Sequence, residues 1–257
     1  MDWTIPLLGF LVGLLVGLTG IGGGALMTPF LILIGGFRPV VAVGTDLAYA
    51  AITKALGALL HFRQRTVDLT IAGYLGIGSI PAALLGVAII RKMTGDAADG
   101  AVDQFVSRAL GLVLIIVAMS LLIRPWSRQA PPGDAPTGHS RRQKGMTVVL
   151  GAGIGLLMGL TSVGSGSLIA ASLVMVYPKL PLRRVVGTDI FHAMCLTGAA
   201  GLAHYGLGTV DLRLLGGLLL GSLPGVWLGS RLATRLSDKV LRPILATVLL
   251  GVGFKLV

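Results

Sequence analysis

Charge is scarce in this sequence, at 12% of residues, and the acidic part of it is narrow: all ten acids are aspartate, with no glutamate. A chain of 257 residues so poor in charge lacks the polar surface a soluble domain of its size needs. Cys195 is the single cysteine, which excludes an intramolecular disulfide and a thiolate metal cluster, and its apolar neighbours predict a buried small hydrophobe. Neither glycine run is followed by Gly-Lys-Ser or Gly-Lys-Thr, so a phosphate-binding loop for ATP coupling is not encoded. The scattered histidines and aspartates show no metal-ligand spacing, and neither a cofactor motif nor a catalytic nucleophile stands out, so no enzyme is expected. The start, Met1 to Thr4, has no basic stretch of the signal-peptide kind, and the first apolar segment is expected to stay in the mature protein.

What the chain has instead is apolar bulk, 54% of its residues, with a mean hydropathy of +0.89. This is the composition of an all-α integral membrane protein whose solvent is the lipid bilayer. The 39 glycines fit close helix packing and broken helices. A net charge of +11 is explained by arginines in the loops between spans rather than by nucleic acid.

Apolar segments fall at 5–19, 25–34, 40–62, 69–90 and 105–123, and again at 147–161, 167–176, 185–205, 212–233 and 240–257. A span takes ~20 helical residues, so the third to fifth segments of each set qualify and the first two are short. The short ones meet at glycine-rich breaks, Thr19-Gly20-Ile21-Gly22-Gly23-Gly24 and Thr161-Ser162-Val163-Gly164-Ser165-Gly166. Non-helical backbone at membrane depth survives only beside protein or a water-filled cavity, so each break is expected to form a broken helix or re-entrant hairpin. Pro81 and Pro224 fall inside the fourth segments, where kinks are expected.

The two sets are copies. Between 44–69 and 187–212, offset by 143, ten of 26 positions are identical, among them Gly44-Thr45-Asp46 with Gly187-Thr188-Asp189, His61 with His204, and Thr66-Val67-Asp68-Leu69 with Thr209-Val210-Asp211-Leu212. The chain divides into a first membrane repeat, 1–123, a polar and proline-rich linker, 124–145, and a second repeat, 146–257. If each repeat crosses an odd number of times, Lys and Arg divide 14 on the linker side against 6 on the other; with four crossings each they divide 11 against 9. The positive-inside rule prefers the first arrangement, which predicts inverted repeats in the inner (plasma) membrane, a cytoplasmic linker and both termini outside. Five short crossings and three crossings plus a re-entrant hairpin fit that count equally, and a homo-oligomer is left open.

Inverted repeats with broken helices place a transporter's site near the midplane, where the repeats meet. Only Asp46 and Asp189 are acids within spans, and Lys54 is the only cation there; an intramembrane ionisable group is a candidate functional residue by default. Helical rise along the third segments puts Lys54 and Asp189 at one level, while Asp46 has no cation at its own, because Thr197 stands where Lys54's twin would be. The expected site therefore takes Gly22, Gly23, Gly24, Thr45, Lys54, Gly164, Ser165, Gly166, Thr188 and His192 for a small anionic substrate, with Asp46 and Asp189 in proton coupling. A plainer reading stands beside it: both aspartates accept hydrogen bonds from the breaks and pin them, and Lys54 neutralises Asp189. Two other functions stay open, a cation or proton pathway through the aspartates and a membrane scaffold without transport.

In Gly-Ile-Gly-Gly-Gly at 20–24, Ala42-Val43-Gly44-Thr45, the run from His61-Phe62-Arg63-Gln64-Arg65 to Asp68, and their second copies, the chain resembles the TauE/SafE sulfite exporter family, also called the four-toluene sulfonate uptake permease family. The resemblance spans nearly everything outside the linker and the 92–103 loop. It implies movement of small sulfur-containing anions such as sulfite or sulfonates, coupled to an ion gradient.

Overall fold

The computed structural model describes residues 4–19, 24–96, 99–123, 138, 140–164, 166–233 and 238–257. They form ten helices: α1 Thr4–Thr19, α2 Gly24–Leu33, α3 Pro39–Arg63, α4 Leu69–Asp96, α5 Asp99–Ile123, α6 Arg141–Thr161, α7 Ser167–Val176, α8 Leu182–Gly206, α9 Leu212–Ala233 and α10 Asp238–Leu256. Six of them, α3, α4, α5, α6, α8 and α9, are long and apolar enough to cross a membrane. Helix is the expected solution, since backbone groups in lipid must be satisfied within their own segment.

Two boundaries differ from the sequence reading. The expected loop over 92–103 is mostly helix, with α4 running to Asp96 and α5 beginning at Asp99. The end of the expected linker is the first turn of α6, started by a capping box in which Ser140 Oγ accepts the Gln143 N–H and Gln143 Oε1 accepts the Ser140 N–H. The linker's 124–137 and His139 lie outside the described residues, as do Gly22, Gly23 and Ser165. Both α4 and α9 continue as helices through Pro81 and Pro224.

Glycine sets how the helices pair. On α1 a Cβ at Gly9, Gly13 or Gly17 would lie 2.8, 2.5 and 2.4 Å from the carbonyl oxygens of Leu218, Ser222 and Val226 on α9. On α6 the same holds for Gly151, Gly155 and Gly159, whose Cβ atoms would lie 2.7, 2.2 and 2.3 Å from the carbonyl oxygens of Leu75, Ser79 and Ala83 on α4. Each pair runs parallel at backbone contact along a small-xxx-small stripe, the arrangement that lets helices associate without a hydrophobic driving force. In each pair a helix of one repeat packs on a helix of the other.

The equivalent helices pair with each other. Gly57 of α3 abuts Ile190 of α8 while Gly201 abuts Ala48, so those two run antiparallel. Gly111 of α5 abuts Gly253 of α10 and Ser107 Oγ donates to the Leu256 carbonyl at 3.3 Å, which makes that pair antiparallel as well. Three buried apolar clusters of the described residues fill the space between: one gathers Met27, Leu31, Leu114 and Val163, a second Val43, Leu47, Met158 and Leu196, and a third Ile71, Leu75, Ile169 and Leu173. Cys195 is exposed on α8, against the expectation of burial, because it lies off the inward stripe of Asp189, Ala193, Leu196 and Ala200.

Candidate functional site

The repeated motifs explain themselves first as a lock between the repeats. Thr45 Oγ1 accepts the Asp211 backbone N–H at 3.0 Å, and Thr188 Oγ1 accepts that of Asp68 at 2.9 Å. A Cβ on Gly44 or Gly187 would meet the Thr209 or Thr66 carbonyl oxygen at 2.7 Å, so each Gly-Thr seats against the other repeat's Thr-Val-Asp turn. Asp68 and Asp211 also cap α4 and α9, each Oδ1 accepting two backbone N–H groups at the helix start. The turns are closed by the histidines: His61 Nδ1 lies 2.8 Å from Thr66 Oγ1 and His204 Nδ1 lies 2.9 Å from Thr209 Oγ1. Thr45 and Thr188, expected at a substrate, are thus engaged across the repeat interface. His61 and His204 sit at helix ends in a structural role.

Inside the lock, Asp46 is fully buried on α3. Its Oδ2 accepts Thr28 Oγ1 from α2 at 2.6 Å and Ser162 Oγ from the break after α6 at 2.9 Å. Ser162 is the left-handed cap of α6, with φ of 62°, an uncommon conformation for a residue with a side chain. That backbone turns the Ser162 hydroxyl into the first repeat. Asp46 Oδ1 has no hydrogen-bond partner among the described residues.

Asp189, the twin on α8, is buried in unlike company. It accepts the Gly166 backbone N–H and feels the Lys54 charge. Gly166 has φ of 102° and caps α7, and Gly164 has φ of 127°, conformations that side chains rarely adopt. Asp189 Oδ1, like Asp46 Oδ1, has no partner among the described residues. Lys54, partly buried on α3, acts electrostatically on Asp189 more strongly than on Asp46, and also reaches His192. The antiparallel register of α3 and α8, with Gly57 against Ile190, brings Lys54 and Asp189 to neighbouring levels.

A second twin pair flanks the carboxylates, one helical turn further along each third helix. Tyr49 on α3 is hydrogen-bonded to Ser222 on α9, and His192 Nε2 on α8 lies 2.7 Å from Ser79 Oγ on α4. Both tethers are buried, and each ties the third helix of one repeat to the fourth helix of the other. His192 Nδ1 has no hydrogen-bond partner among the described residues. Of the expected anion-site residues, the structure gathers Lys54, His192 and Gly166 about Asp189. Gly24 opens α2, and Gly164 lies in the break next to Val163.

Thr28, Ser79 and Ser222 escaped the sequence reading. For the serines a signal existed, since they are offset by the same 143 residues as the other twins. Thr28 has no hydroxyl twin, because Ala170 stands at the corresponding place one break-offset of 142 further on. Among the described residues no three His, Cys or Asp side chains gather as metal ligands.

Two carboxylates, an ammonium, an imidazole and the Ser162 hydroxyl and Gly166 N–H of the second break thus lie together between the interlocked repeats. The chain is 42% identical over its whole length, and over the whole length of the relative, to a protein of Bacillus subtilis strain 168 named "probable membrane transporter protein YjnA". A second protein of that organism, "probable membrane transporter protein YdhB", is 28% identical over 93% of both chains. An archaeal relative from Methanocaldococcus jannaschii, "probable membrane transporter protein MJ0441", is 26% identical over 95% of this chain and 92% of its own. No solved structure matches the chain. The model of the sulfite exporter TauE/SafE family matches residues 5–256, and the chain therefore belongs to that family of membrane transporters.

Proposed function

We propose that the protein is a secondary transporter of small sulfur-containing anions, such as sulfite or organosulfonates, coupled to proton movement. The observation that carries this reading is the unlike surroundings of the twin carboxylates: hydroxyl donors and only the weaker pull of Lys54 at Asp46, but the stronger pull of Lys54, the Gly166 N–H and, one turn on, His192 at Asp189. The second set is the one an anion needs. A buried carboxylate offered only hydroxyl donors is costly to keep charged, so Asp46 is the natural carrier of the proton. Antiparallel pairing of α3 with α8 and of α5 with α10 supports inverted repeats, since equivalent helices run in opposite directions. With that arrangement the linker faces the cytoplasm, both termini face out, and the site lies at the repeat interface of a protein in the inner (plasma) membrane.

The test is transport by the purified chain in lipid vesicles, with sulfite or methanesulfonate on one side and the pH and sodium gradients varied separately. Anion uptake that follows the pH gradient and ignores sodium is expected. Uptake of a cation with no anion would overturn the reading in favour of a cation pathway through Asp46 and Asp189.

A further inference from the structure

The helices that carry the buried carboxylates, α3 and α8, also leave an apolar groove between them. Ala55, Ala58, Leu59 and Phe62 of α3 face Phe191 and Met194 of α8 across a space of about 380 Å³. Leu59 and Phe62 are 47% and 49% exposed, so the groove opens on the lipid side of the pair. Along α3 its stripe runs ~10 Å, from Ala55 to Phe62. At the far end the Phe62 and Phe191 rings stack with centroids 5.8 Å apart. The next residue, Arg63, is the last of the span.

Three exposed arginines meet at that end. Arg63 and Arg65 flank Gln64, and Arg183, in the first turn of α8, donates Nη2 to Gln64 Oε1 at 3.0 Å. Asp68, the acid that follows, is buried, caps α4 and pairs with Arg184 at 3.5 Å. Arg65 has φ of 54°, in the left-handed region that a side chain enters at a cost. Its twin is Gly208, with φ of 72°, in a turn closed the same way: the Arg65 N–H donates to the Phe62 carbonyl at 3.1 Å and the Gly208 N–H to the Tyr205 carbonyl at 3.0 Å. The turn therefore has no need of a side chain there. At the other end of the α3–α8 pair the positions equivalent to Arg63, Arg65 and Arg183 hold Gly206, Gly208 and Val40, and those equivalent to Phe191 and Met194 hold Ala48 and Ala51. The arginines and the α8 wall of the groove are present in one copy and replaced together in the other.

We propose that this face binds one anionic phospholipid, its phosphate held by Arg63, Arg65 and Arg183 and an acyl chain lying in the groove between α3 and α8. Guanidinium groups match the geometry of phosphate oxygens, and a basic cluster joined to a cleft between spans suits an anionic headgroup. The arginines stand at headgroup level, because α3 ends at Arg63 and α8 begins at Leu182. A zwitterionic lipid also brings a phosphate, but its ammonium is repelled by three cations. The bound lipid staples the two helices that bear Asp46 and Asp189, whichever solute is carried.

The test is native mass spectrometry of the purified full chain in detergent, titrated with phosphatidylglycerol and with phosphatidylcholine of the same acyl chains. An arginine near an anionic headgroup is worth about fivefold in affinity, so one phosphatidylglycerol is expected to bind at least about tenfold more tightly than phosphatidylcholine. Arg65→Gly matches the twin turn, and it is expected to lower phosphatidylglycerol affinity about fivefold while leaving the lipid-free melting temperature in place. Ala55→Trp, at an exposed position of the groove, fills the space for the chain and is expected to weaken both lipids. Binding of the two lipids within a few-fold of each other overturns the proposal. Displacement of phosphatidylglycerol by free glycerol phosphate at like concentration overturns it too, by showing an anion site that needs no lipid. So does a dimer of the chain that Ala55→Trp dissolves and neither lipid affects, since the groove then belongs to a second copy. The wild-type comparison of the two lipids decides by itself, so a poorly folding variant does not protect the proposal.

Discussion

Asp46 and Asp189 occupy the same place in two copies of one repeat, yet the groups that hold them differ. Thr28 and Ser162 hydroxyls hold the first, and the Gly166 N–H and the Lys54 charge hold the second. One turn along, the copies diverge again, with Tyr49 bonded to Ser222 on one side and His192 to Ser79 on the other. Around this unlike centre the framework is alike: the glycine stripes of α1 and α6, the Gly-Thr locks and the His-Thr turns recur at matching distances. Duplication has kept what holds the repeats together and changed what surrounds the buried carboxylates. The lock is structural; the difference is what the proposed function draws on.

The alike part is broken most severely at the stripes. Gly13→Leu and Gly155→Leu each drive a side chain into a backbone carbonyl, that of Ser222 or of Ser79, and neither backbone can yield without parting two helices. Each is expected to cost more than ~3 kcal/mol and to abolish recovery of monodisperse protein, equally for the two, as read by size-exclusion profile in detergent. A folded, active variant at one position and not the other would show that the two stripes are not equivalent.

The unlike part is sharpened by Lys54. Removing it leaves Asp189 buried without its main charge partner, so Lys54→Met is expected to cost ~3–5 kcal/mol, and Lys54→Met with Asp189→Leu to recover part of that. Lys54→Met with Asp46→Leu is expected to recover less, since Lys54 acts more weakly there. Chemical unfolding in mixed micelles measures all three. Equal recovery by the two double variants would erase the distinction between the carboxylates.

A smaller effect tests the lock. Thr45→Val and Thr188→Val each leave one backbone N–H, of Asp211 or of Asp68, without its acceptor, at a cost of ~1–3 kcal/mol. The two losses are expected to agree within ~0.5 kcal/mol, and anion exchange to persist in both. Loss of binding in Thr45→Val with stability intact would return that threonine to the substrate site.

Much of this was legible in the sequence, for physical reasons that also mark the limit. Lipid forces spans to be continuous apolar helices, so α3, α8 and α9 could be read within three residues of their ends. The duplication was visible because the lock needs the same Gly-Thr and Thr-Val-Asp residues twice. Its meaning was not, because Thr45 meets Asp211 across 166 residues and nothing local announces the contact. The role of Thr28 was hidden for the same reason. The α6 start was misplaced although Ser140-Arg141-Arg142-Gln143 spells a capping box, because the polar linker composition outweighed the local signal. Cys195 was judged by its neighbours' polarity, which in a membrane helix does not separate the bundle interior from the lipid.

On the proposed function the two carboxylates divide the work, Asp46 holding the proton and Asp189 with Lys54 the anion. Transport by Asp46→Asn in lipid vesicles, with methanesulfonate exchange at equal pH and uptake driven by a pH gradient measured on the same preparation, puts that division to the test. Exchange within a few-fold of wild type and no accumulation in response to the gradient are expected. Full pH-driven accumulation by Asp46→Asn would contradict it.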